Sequence, residues 1–507
     1  MKKNTVSAIL TASMLSSACL GAMTVQAEDI PVSPLAVAVG EAYDWTFSEE
    51  FDLPVCRVSY PALYLMYGCE LAFSDLSKTL DDVNQYHLNN GNIAKDNLTA
   101  FVGDALQYYT AEEWTPYSCD ETLSVRRADT HAISLVFTTE AYDGAFDTRK
   151  SYWAENYDSA TGNLIFLSDV VTDMDALQAA VNDALMTGYP DVPYYSETVV
   201  SDYFANMDQI DIPWSLDYTG LTFYFNVNAL SDLVDYAQVV SVPFADYPEL
   251  FNPYYMETSP DYCATLDCDV PYYYDLDSDG VQDFLYIAGD RDEYGTFSNQ
   301  IIDINGEDAV FDTYSFEMTP TFVHLADGRN YLYIENQLES DYREIAVYDL
   351  NNGTASYVDT VAAHTLAYPE FEEYVTRDII TEVNYMHLES RSNICGTLGA
   401  TRTYYPDENG VPVSAESLYH LLPASPYTLL KDLEAEMIDA QSYESLGTMN
   451  LYAGAVLYPY STDMESFMDF YMEDGTVCRI SIDISGWPQL VNGMNVEEVF
   501  DGIIYAG

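Results

Sequence analysis

The chain reads as a multidomain protein, α+β in its first half and mainly antiparallel β in its second. Three observations carry that expectation. Its 507 residues exceed what one hydrophobic core usually supports. Helical periodicity alternates with β-branched runs up to about Asn252, after which short β runs and Gly-containing turns take over. Apolar residues make up 48% and aromatics 14%, enough for several buried cores despite a formal charge of -66.

Taken in order, residues 1–27 read as a leader: Lys2 and Lys3 before a largely apolar run from Val6 to Leu20, then Val25-Gln26-Ala27. Cleavage is expected before Glu28, with a lipid anchor on Cys19 as the alternative. Glu28 to about Asp44 carries no periodicity. Two amphipathic helices are expected next, one with Leu76, Leu80 and Val83, the other starting near Asp96 or Asn97 with Leu98, Phe101, Val102, Ala105 and Leu106. The first part of the folded chain is thus 28–125.

The segment 126–252 predicts a strand over His131 to Thr139 and a hairpin pairing Tyr152 to Tyr157 with Leu164 to Phe166. A helix follows through Leu177, Val181, Ala184 and Leu185, another through Val199, Val200, Tyr203 and Phe204, then strands at Leu221 to Phe225 and Val239 to Phe244. In 253–375 the runs Phe322 to Leu325, Tyr331 to Glu335, Glu344 to Asp349 and Thr354 to Asp359 predict one antiparallel meander. In 376–507 hairpins turn at Asn409-Gly410 and Asp474-Gly475, with a helical patch around Leu429 to Ile438.

Charge narrows the partners. Asp plus Glu number 83 against 17 Lys plus Arg, so nucleic acid and anionic lipid are repelled, whereas divalent cations and basic proteins are attracted. Removal of Lys2 and Lys3 takes the formal charge from -66 to -68. No later stretch is long and apolar enough for a membrane helix, so the expected location is extracellular or wall-associated. Seven cysteines remain beyond Cys19, and Cys263 with Cys268 is the pair whose spacing best closes a disulfide.

One motif carries chemistry. Asp275-Leu276-Asp277-Ser278-Asp279-Gly280-Val281-Gln282-Asp283 sets aspartates at positions 1, 3, 5 and 9 and glycine at 6 of a tight loop. Such alternation aims carboxylates at one centre, as Ca²⁺ with its six to eight oxygens requires, and Val281 would add its carbonyl oxygen. Position 12 is Tyr286 rather than a bidentate Glu, and the flanks read as strands, so the expected ion is structural. A solvated acidic turn is the plainer alternative. No zinc-spaced histidine pair, nucleophile elbow or phosphate loop is present, and His131 reads as a packed core residue.

Arg127-Ala128-Asp129, the strand from His131 to Leu135, and Asn156-Tyr157-Asp158-Ser159-Ala160-Thr161-Gly162 with Leu167-Ser168-Asp169-Val170 resemble the extracytoplasmic domain of RsiV-type anti-sigma factors. Trp214-Ser215-Leu216, Gly220 to Phe225 and Val240 to Phe244 are similar to that domain's last strands. The resemblance spans about Val55 to Asn252. It implies an α+β binding module of the kind that senses lysozyme, found also beside peptidoglycan deacetylases. Asp143-Gly144-Ala145-Phe146 departs from the Gly-Gly-Ala-His-like turn of that family, and neither the membrane helix nor a deacetylase segment is expected here. The reading is a secreted, non-enzymatic protein that binds lysozyme, another cationic protein or cell-wall glycan. The competing one is a wall-active hydrolase using an Asp/Glu pair.

Overall fold

A computed structural model describes residues 32–48, 53–105, 114–144, 149–190, 192, 198–292, 295–368 and 375–505. The leader, Cys19, the cleavage point before Glu28, and Ala145, Phe146, Leu106, Tyr194 and Tyr195 lie outside them. Strand accounts for 47% and helix for 17%, with an α+β N-terminal region and several antiparallel sheets behind it, the class the sequence predicts.

Strand β1 (Val37–Ser48) pairs antiparallel with β2 (Leu53–Leu65), which lies parallel to β3 (Tyr117–Ala128). Antiparallel β4 (Ala132–Tyr142) and β5 (Arg149–Asp158) follow. The lead-in expected to lack structure to about Asp44 is therefore largely strand. It escapes a periodicity search because Ala38, Gly40 and Ala42 stand on the covered face, while Tyr43 and Trp45 stand on the open one. Strand β5 was expected to pair with Leu164 to Phe166. It makes only a single bridge there, Tyr157 to Leu164, and its partner along the whole strand is β4.

The two expected N-terminal helices are one, α1 (Ser74–Ala105), of 32 residues. Gly91 falls between the two expected helices, and a Cβ there would lie 2.4 Å from Cδ1 of Tyr60 on β2. Contact with the sheet demands glycine there and holds the helix through it. Leu76, Leu80 and Val102 are buried as expected, whereas Phe101 is 69% exposed.

Helix α2 (Met174–Gly188) is capped by the Asp173 carboxylate, which accepts from the amides of Asp175 and Ala176. With α3 (Val199–Asn206) it covers β6 (Trp214–Leu216), β7 (Gly220–Phe225) and β8 (Gln238–Pro243), burying Leu177, Val181, Trp214 and Phe223 together. Below this layer Arg126 pairs with Asp217 at 3.0 Å and Arg127 with Asp129 at 2.7 Å, all four buried.

The single expected meander is two. Strand β9 (Tyr262–Thr265) precedes β10 (Pro271–Tyr274), β11 (Asp283–Ala288), β12 (Phe297–Ile304) and β13 (Glu307–Ser315), and the last four form one sheet. Strands β14 (Glu317–His324), β15 (Asn330–Gln337), β16 (Arg343–Asp349) and β17 (Ser356–Val361) form the other, with β9 at its edge. Asn305 and Gly306 both take positive φ, 56° and 87°, which suits the tight β12–β13 turn. Tyr274, Leu285, Phe322 and Leu332 share a core with Val136 of β4.

Past β18 (His364–Thr365), strands β19 (Ala367–Tyr368) and β20 (Val375–Asp378) return to the N-terminal sheet. There β20 pairs with β1, giving the order β19-β20-β1-β2-β3-β4-β5. Most of the remaining strands, from β21 (Met386–Ser392) on, join β18 in a second large antiparallel sheet that includes both expected hairpins, while Leu490–Val491 pairs separately with Met494–Asn495. The patch expected to be helical around Leu429 to Ile438 is strand, Tyr427–Leu429 and Leu433–Ile438. Its helix-forming Lys and Glu residues are outvoted by the period-two burial of Leu433 and Ala435.

The expected Cys263–Cys268 bridge is not formed, and both thiols are free. Cys263 packs with Val323 and Tyr333, whereas Cys268 packs against the separate core of Tyr272 and Ile287, so the two side chains serve different layers. Burial raises both thiols, Cys268 to about 12.

Candidate functional site

The Asp275 loop joins β10 to β11, and hairpin closure brings its ends together. Asp275, Asp277 and Asp283 each place a carboxylate oxygen within 4.8 Å of the others. Two oxygens on one Ca²⁺ at about 2.4 Å can be at most about 4.8 Å apart, so the spacing suits that ion. Asp275 also accepts from the amides of Asp279 and Gly280 at 3.1 and 3.0 Å, and Gly280 takes φ 85° to permit it. Asp283 accepts from the Leu276 amide at 2.9 Å and from Nδ2 of Asn305 at 2.7 Å. Asp279 is not one of the converging three: its carboxylate accepts from the Val281 amide at 2.7 Å. The Val281 side chain is 64% exposed. Asn330 of β15 donates to the Asp275 and Leu276 carbonyls, at 3.2 and 2.9 Å, joining the loop to the second meander.

A cleft of about 610 Å³ lies between the seven-stranded sheet and the β9–β14–β15–β16 layer. Glu41, Asp267, Glu317, Glu335 and Asp378 line it, against Arg291, Arg343 and Arg377. Arg343 holds Glu317 at 3.0 Å and Glu335 at 3.2 Å. Burial, and then the nearby charges of Glu317 and Asp120, raise the Glu41 carboxyl above its ordinary range, although a Tyr43 hydrogen bond opposes them. Nη1 of Arg377 is buried with no hydrogen-bond partner among the described residues.

At the β20 end, Tyr67 and Tyr368 donate their phenols to Asp378 at 2.5 and 2.7 Å. Burial still pushes the Asp378 carboxyl up to about 6. The histidines stay apart. His131 is buried, stacks on Tyr254 at 4.1 Å, and sets Nδ1 3.0 Å from the Tyr254 carbonyl, the packed role its sequence context predicts.

The sequence pointed to the Asp275 loop and missed the cleft. Glu41, Tyr43 and Arg377 come together only when β20 pairs with β1 across more than three hundred residues of chain, and no spacing rule spans that distance. The one local signal was the alternation Glu41, Tyr43, Trp45 and Phe47.

No family model matches the chain, and no curated protein matches it. Among solved structures, a DUF3298-family protein of Bacteroides fragilis is similar over 43% of this chain and 94% of its own, at 13% identity and TM-score 0.32. A DUF3298-family protein of Pseudomonas aeruginosa is similar over 46% and 100%, at 14% identity and TM-score 0.28. That family holds the extracellular domains of RsiV anti-sigma factors.

Proposed function

We propose that the chain is an exported, non-enzymatic binding protein of a bacterial envelope, with a structural calcium ion in the Asp275 loop. The observation that carries the binding role is the interlayer cleft, in which acidic groups outnumber arginines. Such a site, on a chain of formal charge -66, suits a cationic protein such as lysozyme, or the neutral glycan of a cell wall. Titration calorimetry at ~0.15 M salt tests the first partner and cosedimentation with purified wall the second. Absence of binding to both overturns the reading. N-terminal sequencing of the mature protein should begin at Glu28, and an acylated Cys19 would replace secretion with lipid anchoring.

Calcium is proposed from the three converging carboxylates. Binding confined to the folded form stabilises it by about 2.7 kcal/mol at a hundredfold excess over Kd. Asp277→Ala should abolish most of the calcium-dependent rise in Tm, and Asp279→Ala should matter less, since Asp279 lies outside the converging set. A change in the C-terminal hairpin turn, Asp474→Ala, whose carboxylate accepts from the Thr476 amide, should leave the rise intact. An unchanged Tm in chelator, together with no calcium uptake in titration, removes the site.

The hydrolase reading keeps one supporting observation, the raised carboxyl of Glu41 in a cleft with Glu317 near enough to contribute. Zymography on wall material decides it: clearing by the parent protein that Glu41→Gln abolishes would make the cleft catalytic.

A further inference from the structure

On β1, Asp44 accepts from Lys95 at 2.5 Å and Thr46 meets Thr99 at 3.4 Å, both partners on α1. The even positions of this strand therefore face the helix. Glu41, Tyr43 and Trp45 face the other way by the period of two. Glu41 and Tyr43 line the cleft, and Trp45 continues the row outward at a spacing of about 7 Å per alternate residue. Tyr43 is 49% and Trp45 41% exposed.

The rings are held in place. The Arg57 guanidinium lies 5.9 Å from the Tyr43 ring centre and 5.6 Å from that of Trp45. It is fixed in turn by two hydrogen bonds to Asp120, at 2.9 and 2.5 Å. Phe316, 45% exposed, stands in the cleft lining on the β14 side. Arg377 faces Val39 across the β1–β20 pair, and Val375 faces Glu41, so Arg377 and Glu41 share one face two positions apart.

We propose that this strip, from Arg377 and Glu41 in the cleft out along Tyr43 and Trp45, is the binding site of a linear, uncharged hexosamine glycan. The strip offers a buried N–H donor without a partner, a carboxylate acceptor and two fixed aromatic faces. Sugar hydroxyls and acetamido groups both donate and accept, and sugar rings present C–H faces that stack on aromatic side chains, so one ligand class meets all three. A basic peptide would satisfy Glu41 and oppose the guanidinium of Arg377. An anionic polymer is repelled by the net charge.

The inference deepens the binding reading of the cleft and depends neither on export nor on calcium. Its test uses the full chain and the tetramer of N-acetylglucosamine, followed by calorimetry and tryptophan fluorescence, with the deacetylated tetramer and oligolysine as comparison arms. Saturable binding of the acetylated tetramer is expected. Trp45→Ala and Tyr43→Ala should each weaken it tenfold or more while the melting transition stays cooperative, because neither ring belongs to a buried core. Tyr452→Ala, 68% exposed in the C-terminal sheet region, should not weaken it. No binding at millimolar tetramer, binding indifferent to Trp45→Ala, or uptake of oligolysine alone each overturns the proposal. Chromatography of the bound sugar separates the two readings: intact tetramer keeps the cleft non-enzymatic, whereas shortened products keep the glycan and discard the non-enzymatic role.

Discussion

Arg127 is fully buried and donates to three groups at once: Asp129 at 2.7 Å and the carbonyls of Tyr255 and Glu257 at 2.6 and 2.7 Å. Asp129 in turn accepts from the amides of His131 and Ala132. A buried ion pair tolerates loss of one partner poorly, because the remaining charge keeps its desolvation cost. Arg127→Met should lower stability by about 3–5 kcal/mol in denaturant titration, and a loss below 1 kcal/mol would mean that water reaches Asp129. Asp378 works in the opposite sense. Its folded pKa of about 6 exceeds the ordinary 3.8, so the native state holds the extra proton between those values. Stability from this group therefore declines as pH rises from about 4 to about 6, by about 3 kcal/mol in all. Asp378→Asn, which never ionises, should equal the parent near pH 4 and melt higher at pH 7. A constant difference in Tm across that window would rule this account out.

At the scale of elements, α1 shows packing overriding local propensity. Glycine costs a helix interior about 1 kcal/mol relative to alanine, so Gly91→Ala should help an isolated helix. Here the added Cβ meets the Tyr60 ring at 2.4 Å, and overpacking of this kind costs about 1–3 kcal/mol. The variant should melt lower than the parent, and Gly91→Ala combined with Tyr60→Val should recover part of the loss. A rise in Tm for Gly91→Ala alone would show that the helix lifts from the sheet without penalty. The same competition explains Leu433–Ile438, where charged helix formers occupy the outward positions of a strand whose inward ones are buried. Periodicity read helices α2 and α3 correctly because each buries one face, and apolar runs read strands β7, β8, β15 and β16, which are buried along nearly their whole length beside neighbours close in sequence.

For the whole molecule the decisive contact is β20 on β1. Without it, β1 is an exposed edge, with the backbone of Ala38 to Glu41 unpaired beside an apolar face. A fragment ending at residue 252, the limit of the RsiV-like stretch, should therefore aggregate or melt well below the full chain. Adding 367–378 as a separate peptide should raise its Tm. If the fragment matches the full chain in melting and solubility, the seven-stranded sheet does not need its last two strands.

Some of this was written in the chain itself. The acidic charge, the α+β to β order, the meander turns and the aspartate spacing at 275–283 are local properties, set by residue type and by neighbours a few positions away. Only the fold set the rest: one long helix in place of two, two meanders in place of one, free cysteines in separate cores, and a cleft whose Glu41 and Arg377 lie more than three hundred residues apart. Those features depend on which surfaces meet, and the energy of such meetings comes from burial and pairing between segments distant in sequence. A sequence pattern reports the face an element offers; its partner is chosen by the packing of the whole.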